Sequence, residues 1–219
     1  MKLNTFCCLF LFAFFSQFSN AASVTVGNYD TANAHPFGNF AANWGVGAIY
    51  QQVYSAASFS SAMSIDGVSF FKADSSIMDN ASYSVSFYLT SAAPNGLNTT
   101  AANNRGALLS NFGTFSFSGA TPNVLTLNGG PFTYDPFQGG NLLMQVVVSA
   151  FNTAGGTLGH FQADNGSTET SRYFGGSSGF GTAASGGLVT EFSYSVPEPS
   201  AFILLSVGFI GFTLMRKTK

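Results

Sequence analysis

Cysteine is almost missing from this chain, and its two copies, Cys7 and Cys8, both lie near the N-terminus. No cysteine occurs after position 8. A domain built from the rest of the chain therefore has no disulfide framework, no thiol nucleophile and no cysteine-metal site. Its stability must come from packing and hydrogen bonding alone.

Charged residues are also scarce, at 7% of the chain. Between residues 22 and 195 the basic side chains are only Lys72, Arg105 and Arg172. Eight acidic side chains oppose these three, which gives this region a formal net charge of −5. Proteins that bind nucleic acids need clustered Lys and Arg to neutralise phosphates, so the composition excludes that role. It also argues against attraction to anionic lipid.

Long apolar runs occur only at the two ends of the chain. At the N-terminus, Lys2 precedes an apolar stretch over 6–18, and small residues follow it up to Ala21. A basic start, an apolar centre and small residues are the layout of a secretory signal peptide. We expect residues 1–21 to form a signal helix that directs export and is removed by cleavage after Ala21 or Ala22. An uncleaved N-terminal anchor is the alternative.

The C-terminal segment, residues 196–219, has three parts. It begins with a proline-bracketed motif, formed by Val196, Pro197, Glu198 and Pro199. An apolar run over 201–215 follows, and a basic membrane stop ends the chain, formed by Arg216, Lys217 and Lys219. As a helix the run rises about 22 Å, which is short of a hydrocarbon core of about 30 Å. This predicts a marginal transmembrane helix with its basic end in the cytoplasm.

The prolines of the motif favour an extended backbone, because helix is disfavoured at the residues before Pro197 and Pro199. An extended, exposed junction is the shape that a processing protease needs. A plain membrane anchor that is never cut is the alternative on this argument alone.

The three parts of the tail together resemble the PEP-CTERM sorting signal of Gram-negative bacteria. The resemblance implies recognition by an exosortase, a membrane cysteine protease, with Pro197, Glu198 and Pro199 as the residues recognised. It implies cleavage near these prolines. It also implies that an inner-membrane precursor is delivered to the cell surface or the extracellular matrix.

Short strands are predicted between the two ends. Residues 83–90 alternate apolar and polar side chains, and residues 188–194 repeat the pattern with Leu188 and Phe192 on one face. The more uniformly apolar run 142–148 is typical of a central strand that is buried on both faces. Shorter or weaker candidates cover 24–26, 50–54, 63–71, 112–117, 124–127 and 159–162.

Turn-forming residues separate these strands, and the sequence shows no helical period of useful length away from the termini. The Gly-rich stretch 175–187 is expected to be a flexible loop. The pattern predicts an all-β, antiparallel β-sandwich or jelly roll over residues 22–195. Residues 50–54, 59 and 65–70, and residues 132–136 and 140–146, also resemble two signatures of some PEP-CTERM ectodomains. That resemblance implies a jelly-roll sandwich of undefined ligand.

Little in the sequence points to catalysis. The two histidines, His35 and His160, have no serine-centred elbow or spaced carboxylate beside them, so no catalytic residue is predicted. No cofactor is expected, apart from a structural calcium ion as a candidate. Its oxygen ligands would come from 74–80 and 164–169, although both stretches are read more simply as solvated turns.

Aromatic side chains are the other candidate binding groups, and we single out Trp44, Tyr88 and Tyr134. Aromatic rings stack on the faces of sugars, but aromatic residues on strands are more often part of the core. Tyr88 lies on the otherwise polar face of its predicted strand, which favours an exposed role.

Three hypotheses from different classes follow. The leading one is a non-enzymatic exported protein that is sorted by its tail to the cell surface or to an exopolysaccharide and biofilm matrix. The second is a carbohydrate- or calcium-binding surface module with the same destination. The third is a secreted hydrolase whose catalytic residues meet only in three dimensions.

Overall fold

The predicted strands form antiparallel sheets in the computed structural model, which describes residues 21–75, 77–155, 159–166 and 168–195. The strands are β1 (Ala21–Val26), β2 (Thr31–Asn33), β3 (Ile49–Tyr54), β4 (Met63–Phe71), β5 (Ile77–Thr90), β6 (Leu108–Ala120), β7 (Val124–Tyr134), β8 (Asn141–Thr153), β9 (Phe161–Asp164), β10 (Thr170–Gly175), β11 (Gly181–Ser185), β12 (Gly187–Leu188) and β13 (Thr190–Ser195). Within the described residues, the short α-helix α1 (Phe40–Trp44) and 3-10 turns at Ala56–Ser58, Ala101–Asn104 and Pro136–Gln138 connect them.

The strands are arranged in three sheets. A four-stranded sheet has the order β1-β13-β4-β7, and a six-stranded sheet has the order β11-β10-β3-β8-β5-β6. A small third sheet has the order β12-β9-β2. This arrangement confirms the all-β antiparallel class and supports a β-sandwich, while the jelly-roll topology stays a prediction.

Aromatic rings fill the space between the two larger sheets. The ring centroids of Tyr54 on β3 and Phe192 on β13 lie 4.9 Å apart in a T-shaped contact. Phe87 on β5 and Phe132 on β7 stack with centroids 4.7 Å apart. Such pairs bury large apolar areas and hold the sheets face to face.

Strand β5 follows the predicted alternation. Tyr83, Val85 and Phe87 are buried in the core. The serines that alternate with them lie on the outer face, where they bond polar side chains of β6 in the pairs Ser82–Ser116, Ser84–Thr114 and Ser86–Asn111. The predicted central strand lies within β8, where residues 142–146 and Val148 are all buried. The first prediction depended on alternation and the second on an unbroken apolar run, and both patterns can be read from a short stretch of sequence.

Two predictions about the C-terminal part were wrong. Residues 175–187 were expected to be a flexible loop, but they contain β11, which pairs with β10. Residues 188–194 were expected to be one strand, but they belong to two. Leu188 ends β12 and pairs with Ala163 of β9, while Thr190 begins β13. The division follows from hydrogen bonding: the backbone N–H and C=O of Leu188 bond the buried side chain of Gln52.

Several predicted features lie outside the described residues. They are the signal helix before Ala21, the motif formed by Val196, Pro197, Glu198 and Pro199, the C-terminal helix, and the membrane stop formed by Arg216, Lys217 and Lys219. In the part of the chain that is described, no helix has both the length and the apolar character needed to cross a bilayer.

Candidate functional site

The C-terminal end of the described fold is held between two strands. Strand β13 pairs with β1 on one side and with β4 on the other. Its last residue, Ser195, lies opposite Ala21 of β1 and opposite Ser64 of β4. The tail motif begins at the next residue, Val196.

The sequence explains why the strand forms. Thr190 and Phe192 are buried, while Glu191 and Ser193 face outward, which is the alternation of a strand with one covered face. Pro197 and Pro199 lack a backbone N–H, so they cannot donate to a continued ladder. The backbone therefore loses hydrogen-bond donors at the first residues of the tail, directly after the described fold.

The opposite end of the described chain lies beside this junction. Ala21 and Ala22, the residues of the predicted signal-peptide cleavage site, form the start of β1 and pair with Ser195 and Tyr194. The predicted signal-peptide cleavage site and the last residues before the sorting motif are thus neighbours across one strand pair, although about 170 residues separate them in sequence.

Trp44 lies at the end of α1 and is exposed over 41% of its surface. Its ring contacts Phe40 and Phe174, each with a centroid distance of 6.4 Å. Val46, which is 58% exposed, follows two residues later. Trp44 therefore presents a braced aromatic ring at the surface.

His35 packs behind this ring. Its imidazole contacts Phe40 at 5.0 Å and Phe174 at 5.2 Å between ring centroids. Burial, with a further contribution from the positive charge of Arg172, lowers the pKa of His35 to about 4. The imidazole is therefore neutral at pH 7 and forms part of the packing beneath Trp44.

Tyr88 and Tyr134 lie on opposite sides of the six-stranded sheet. Tyr88 is half-buried on the outer face of β5, and the guanidinium carbon of Arg105 lies 5.9 Å from its ring centroid. Tyr134 is fully buried in the main core, where its hydroxyl donates to the carbonyl of Gly140 at 3.0 Å. Burial raises the pKa of Tyr134 to about 12. The fold does not present Tyr134 to a ligand, and it does not bring the two tyrosines into one site.

Two acidic side chains of the candidate calcium segment 74–80 bond groups of the protein. Asp74 pairs with the ring Nδ1 of His160 and accepts from its backbone N–H at 3.1 Å. Asp79 is buried and accepts from the backbone N–H groups of Ala42 and Gly155, each at 2.9 Å. Within the described ranges, no three carboxylate, imidazole or thiol side chains gather as a metal site would require.

Sequence reasoning did not identify a cleft of about 300 Å³ on the outer face of the six-stranded sheet. Its lining residues come from β10, β11 and the connection after β5: Asn95, Leu97, Ser171, Ala183, Ala184 and Ser185. No local pattern marks these residues, because they meet only when β11 pairs with β10 and the connection folds over them.

Comparison with known proteins gives one result that bears on function. The family model for the PEP-CTERM protein-sorting motif matches residues 195–217. No curated protein sequence matches the chain.

Two solved structures of viral particles show low similarity. The subviral particle of VP2 from infectious bursal disease virus has 13% identity and a TM-score of 0.23, over 84% of this chain and 43% of the viral chain. The T13 particle of the same virus has 12% identity and a TM-score of 0.22, over 83% and 40%. The chain thus spans about two fifths of the length of these viral chains.

The matched segment begins at Ser195, the last residue of β13, and contains all of the motif residues singled out in the sequence. The chain therefore carries a PEP-CTERM protein-sorting motif, which marks an exported protein whose membrane-anchored precursor is processed by an exosortase.

Proposed function

We propose that this chain is a non-enzymatic structural protein that is retained at the cell surface or in an exopolysaccharide matrix. The tail holds the precursor at the inner membrane until the exosortase separates it from the β-domain. The observation that carries this proposal is the sorting motif, which starts where β13 ends.

The surface chemistry of the β-domain supports a passive role. The outer face of β5 and β6 presents hydroxyl and amide groups that bond each other, as in Ser82–Ser116 at 2.7 Å and Ser84–Thr114 at 3.1 Å. Such cross-strand pairs stabilise a hydrated sheet surface. Hydroxyl groups and a low density of charge suit a domain that lies among neutral polysaccharide chains.

Replacement of the motif residues tests the sorting proposal. We expect the double variant Pro197→Ala, Glu198→Ala to accumulate in the inner membrane with its tail intact, because the exosortase no longer recognises it. Fractionation of the native host followed by mass spectrometry of the C-terminal peptide measures this. The matched control, Pro122→Ala with Glu169→Ala, changes the same residue types at exposed positions and should reach the surface normally. Normal surface delivery of the motif variant would overturn the proposal.

A second candidate function is carbohydrate binding through Trp44. It is favoured by the exposure of this ring and by the contacts that brace it against Phe40 and Phe174. A braced ring loses little conformational freedom when it stacks on a sugar. Calcium binding by 74–80 or 164–169 stays a prediction, as does any role for Tyr88.

Co-sedimentation with exopolysaccharide purified from the host tests this candidate. We expect Trp44→Ala to lower the bound fraction several-fold, because the stacking surface is removed. Phe137→Ala is the control, since Phe137 is 76% exposed but lies in a separate 3-10 turn. Equal binding by the wild type and Trp44→Ala would remove the candidate.

A further inference from the structure

The predicted signal-peptide cleavage site and the last residue before the sorting motif lie opposite each other in the pair formed by β1 and β13. Ala21 lies opposite Ser195, and Ala22 lies opposite Tyr194. Signal-peptide cleavage after Ala21 would remove the first of these pairs, and cleavage after Ala22 would remove both. The sorting motif starts one residue beyond them.

We propose that the pairing of β13 with β1 and β4 sets the N-terminal limit of exosortase cleavage, so that the mature protein keeps all of β13. The proposal rests on the proposed function, since it concerns the position of the same cut. In this proposal β1 protects β13 from cleavage, a role that the sequence of the sorting motif does not indicate.

The backbone geometry is the first argument. A protease binds several consecutive residues in an extended form, with their backbone groups free to bond the enzyme. Proteolysis therefore concentrates where the backbone is not already hydrogen-bonded within the protein. Residues from Thr190 to Ser195 have partners on β4 along the strand, and their partners on β1 cover the other edge.

The core contacts of β13 are the second argument. Phe192 is fully buried and contacts Tyr54, Phe59 and Phe87. Thr190 is fully buried, and its hydroxyl lies 3.0 Å from that of Tyr54. Withdrawing β13 into an active site would expose these groups and separate the two large sheets.

The weaker side of the arrangement is β1, an edge strand with β13 as its neighbour in the sheet. Val26 is buried, whereas Val24 is only partly buried. If any strand separates to admit the enzyme, it is β1. A cut within the paired region requires β1 to separate from β13, whereas a cut beyond it does not. A covalent link between β1 and β13 therefore distinguishes the two positions of the cut.

The chemical step is hydrolysis of one peptide bond. The C–N bond breaks and the elements of water are added. The mature protein gains a C-terminal carboxylate, and the departing tail gains an α-amino group. The location of that bond is what the strand pair restricts.

A cysteine pair supplies the test in the full-length chain. Ser23 and Ser193 lie directly opposite each other, and opposite residues of an antiparallel pair have Cα separations that a disulfide accepts. The double variant Ser23→Cys, Ser193→Cys has no competing thiol after the signal segment. Ser23→Cys alone is the matched control. A second variant carries a Gly/Ser insert between Ser195 and Val196, which moves the motif away from the fold.

Mass spectrometry of the mature C-terminus and pulse-chase conversion of the precursor are the measurements. We expect the wild type and the locked variant to end at or beyond Ser195 and to convert at the same rate. The insert variant should keep its insert and convert at least as fast. A mature C-terminus upstream of Ser195, or several-fold slower conversion of the locked variant alone, would overturn the proposal. A tail that stays intact on the surface form would instead overturn the proposed function, and this inference with it.

Discussion

At the scale of single residues, His35 shows how packing changes the chemistry of a side chain. It is one of two histidines in the chain, and the sequence assigned it no catalytic role. The fold places its ring between Phe40 and Phe174, and Arg172 contributes a positive charge nearby. Burial and that charge both disfavour the imidazolium, which is why the pKa falls to about 4.

The low pKa of His35 predicts a loss of stability in acid. In the unfolded chain this group has a pKa of about 6.5, so below that pH the unfolded state binds a proton that the folded state excludes. The free energy of unfolding should therefore be unaffected above pH 7. It should fall between about pH 6.5 and the folded-state pKa of about 4, by up to about 3 kcal/mol from this group.

Urea unfolding at several pH values, followed by the fluorescence of Trp44, measures this loss. The variant His35→Gln should lose less stability between pH 7 and pH 4.5 than the wild type, since it lacks the titrating group. Parallel pH profiles for the two proteins would contradict the prediction.

At the scale of elements, the connection between β5 and β6, residues 91–107, is held on the outer face of the six-stranded sheet by a buried amide network. The Nδ2 of Asn104 donates to the side-chain oxygen of Gln51 at 2.8 Å, and its Oδ1 accepts from the backbone N–H of Asn98 at 2.6 Å. Gln51 in turn donates to the side-chain oxygen of Gln145 at 2.9 Å. These bonds let a long connection pack as part of the fold.

Asn104→Ala should release this connection. It leaves the buried oxygen of Gln51 without its donor, and we expect a loss of about 2–3 kcal/mol in the free energy of unfolding. Hydrogen exchange over residues 91–107 should accelerate more than exchange in β5 or β8. Asn103→Ala is the matched control, because Asn103 is exposed and adjacent. Equal exchange in both variants would show that the network does not hold the segment.

At the scale of the whole molecule, polar bonds as well as aromatic rings join the sheets. Gln52 on β3 donates from Nε2 to the carbonyl of Leu188 at 2.8 Å, and its Oε1 accepts from the backbone N–H of Leu188 at 2.8 Å. The same oxygen accepts from the hydroxyl of Tyr50 at 2.7 Å. One side chain thus ties the six-stranded sheet to the end of β12, just before β13 begins.

Gln52→Leu should destabilise the whole domain. The substitution keeps the side-chain volume but leaves the buried N–H of Leu188 without its acceptor. It also removes one of the two donors to the carbonyl of Leu188, to which the hydroxyl of Thr190 donates as well, and we expect a cost of about 2–4 kcal/mol. Far-UV circular dichroism and Trp44 fluorescence should report one coincident transition at a lower urea concentration, because the two large sheets share one core. Gln138→Leu, at an exposed position, should change stability little. Two separated transitions in either protein would mean that the sheets unfold independently.

The strands that could be predicted are those with a local signature. In β5 the alternation of Ser with Tyr83, Val85 and Phe87 is readable from a short window, and the buried run of β8 is equally plain. Strand β11 has no such signature, since its residues are small and gain order only by pairing with β10. Tyr134 looked like a candidate binding ring because a sequence does not state which face of a strand another sheet will cover.

The sequence by itself determined the sorting motif, the all-β class and the lack of disulfides in the β-domain, since each depends on residue identity or on a short repeat. Only the tertiary structure decided which rings are buried, where the outer cleft lies, and that Ala21 stands opposite Ser195. These features arise from contacts between residues far apart in the chain. No local pattern encodes them, because they depend on which sheets pack together and in which register.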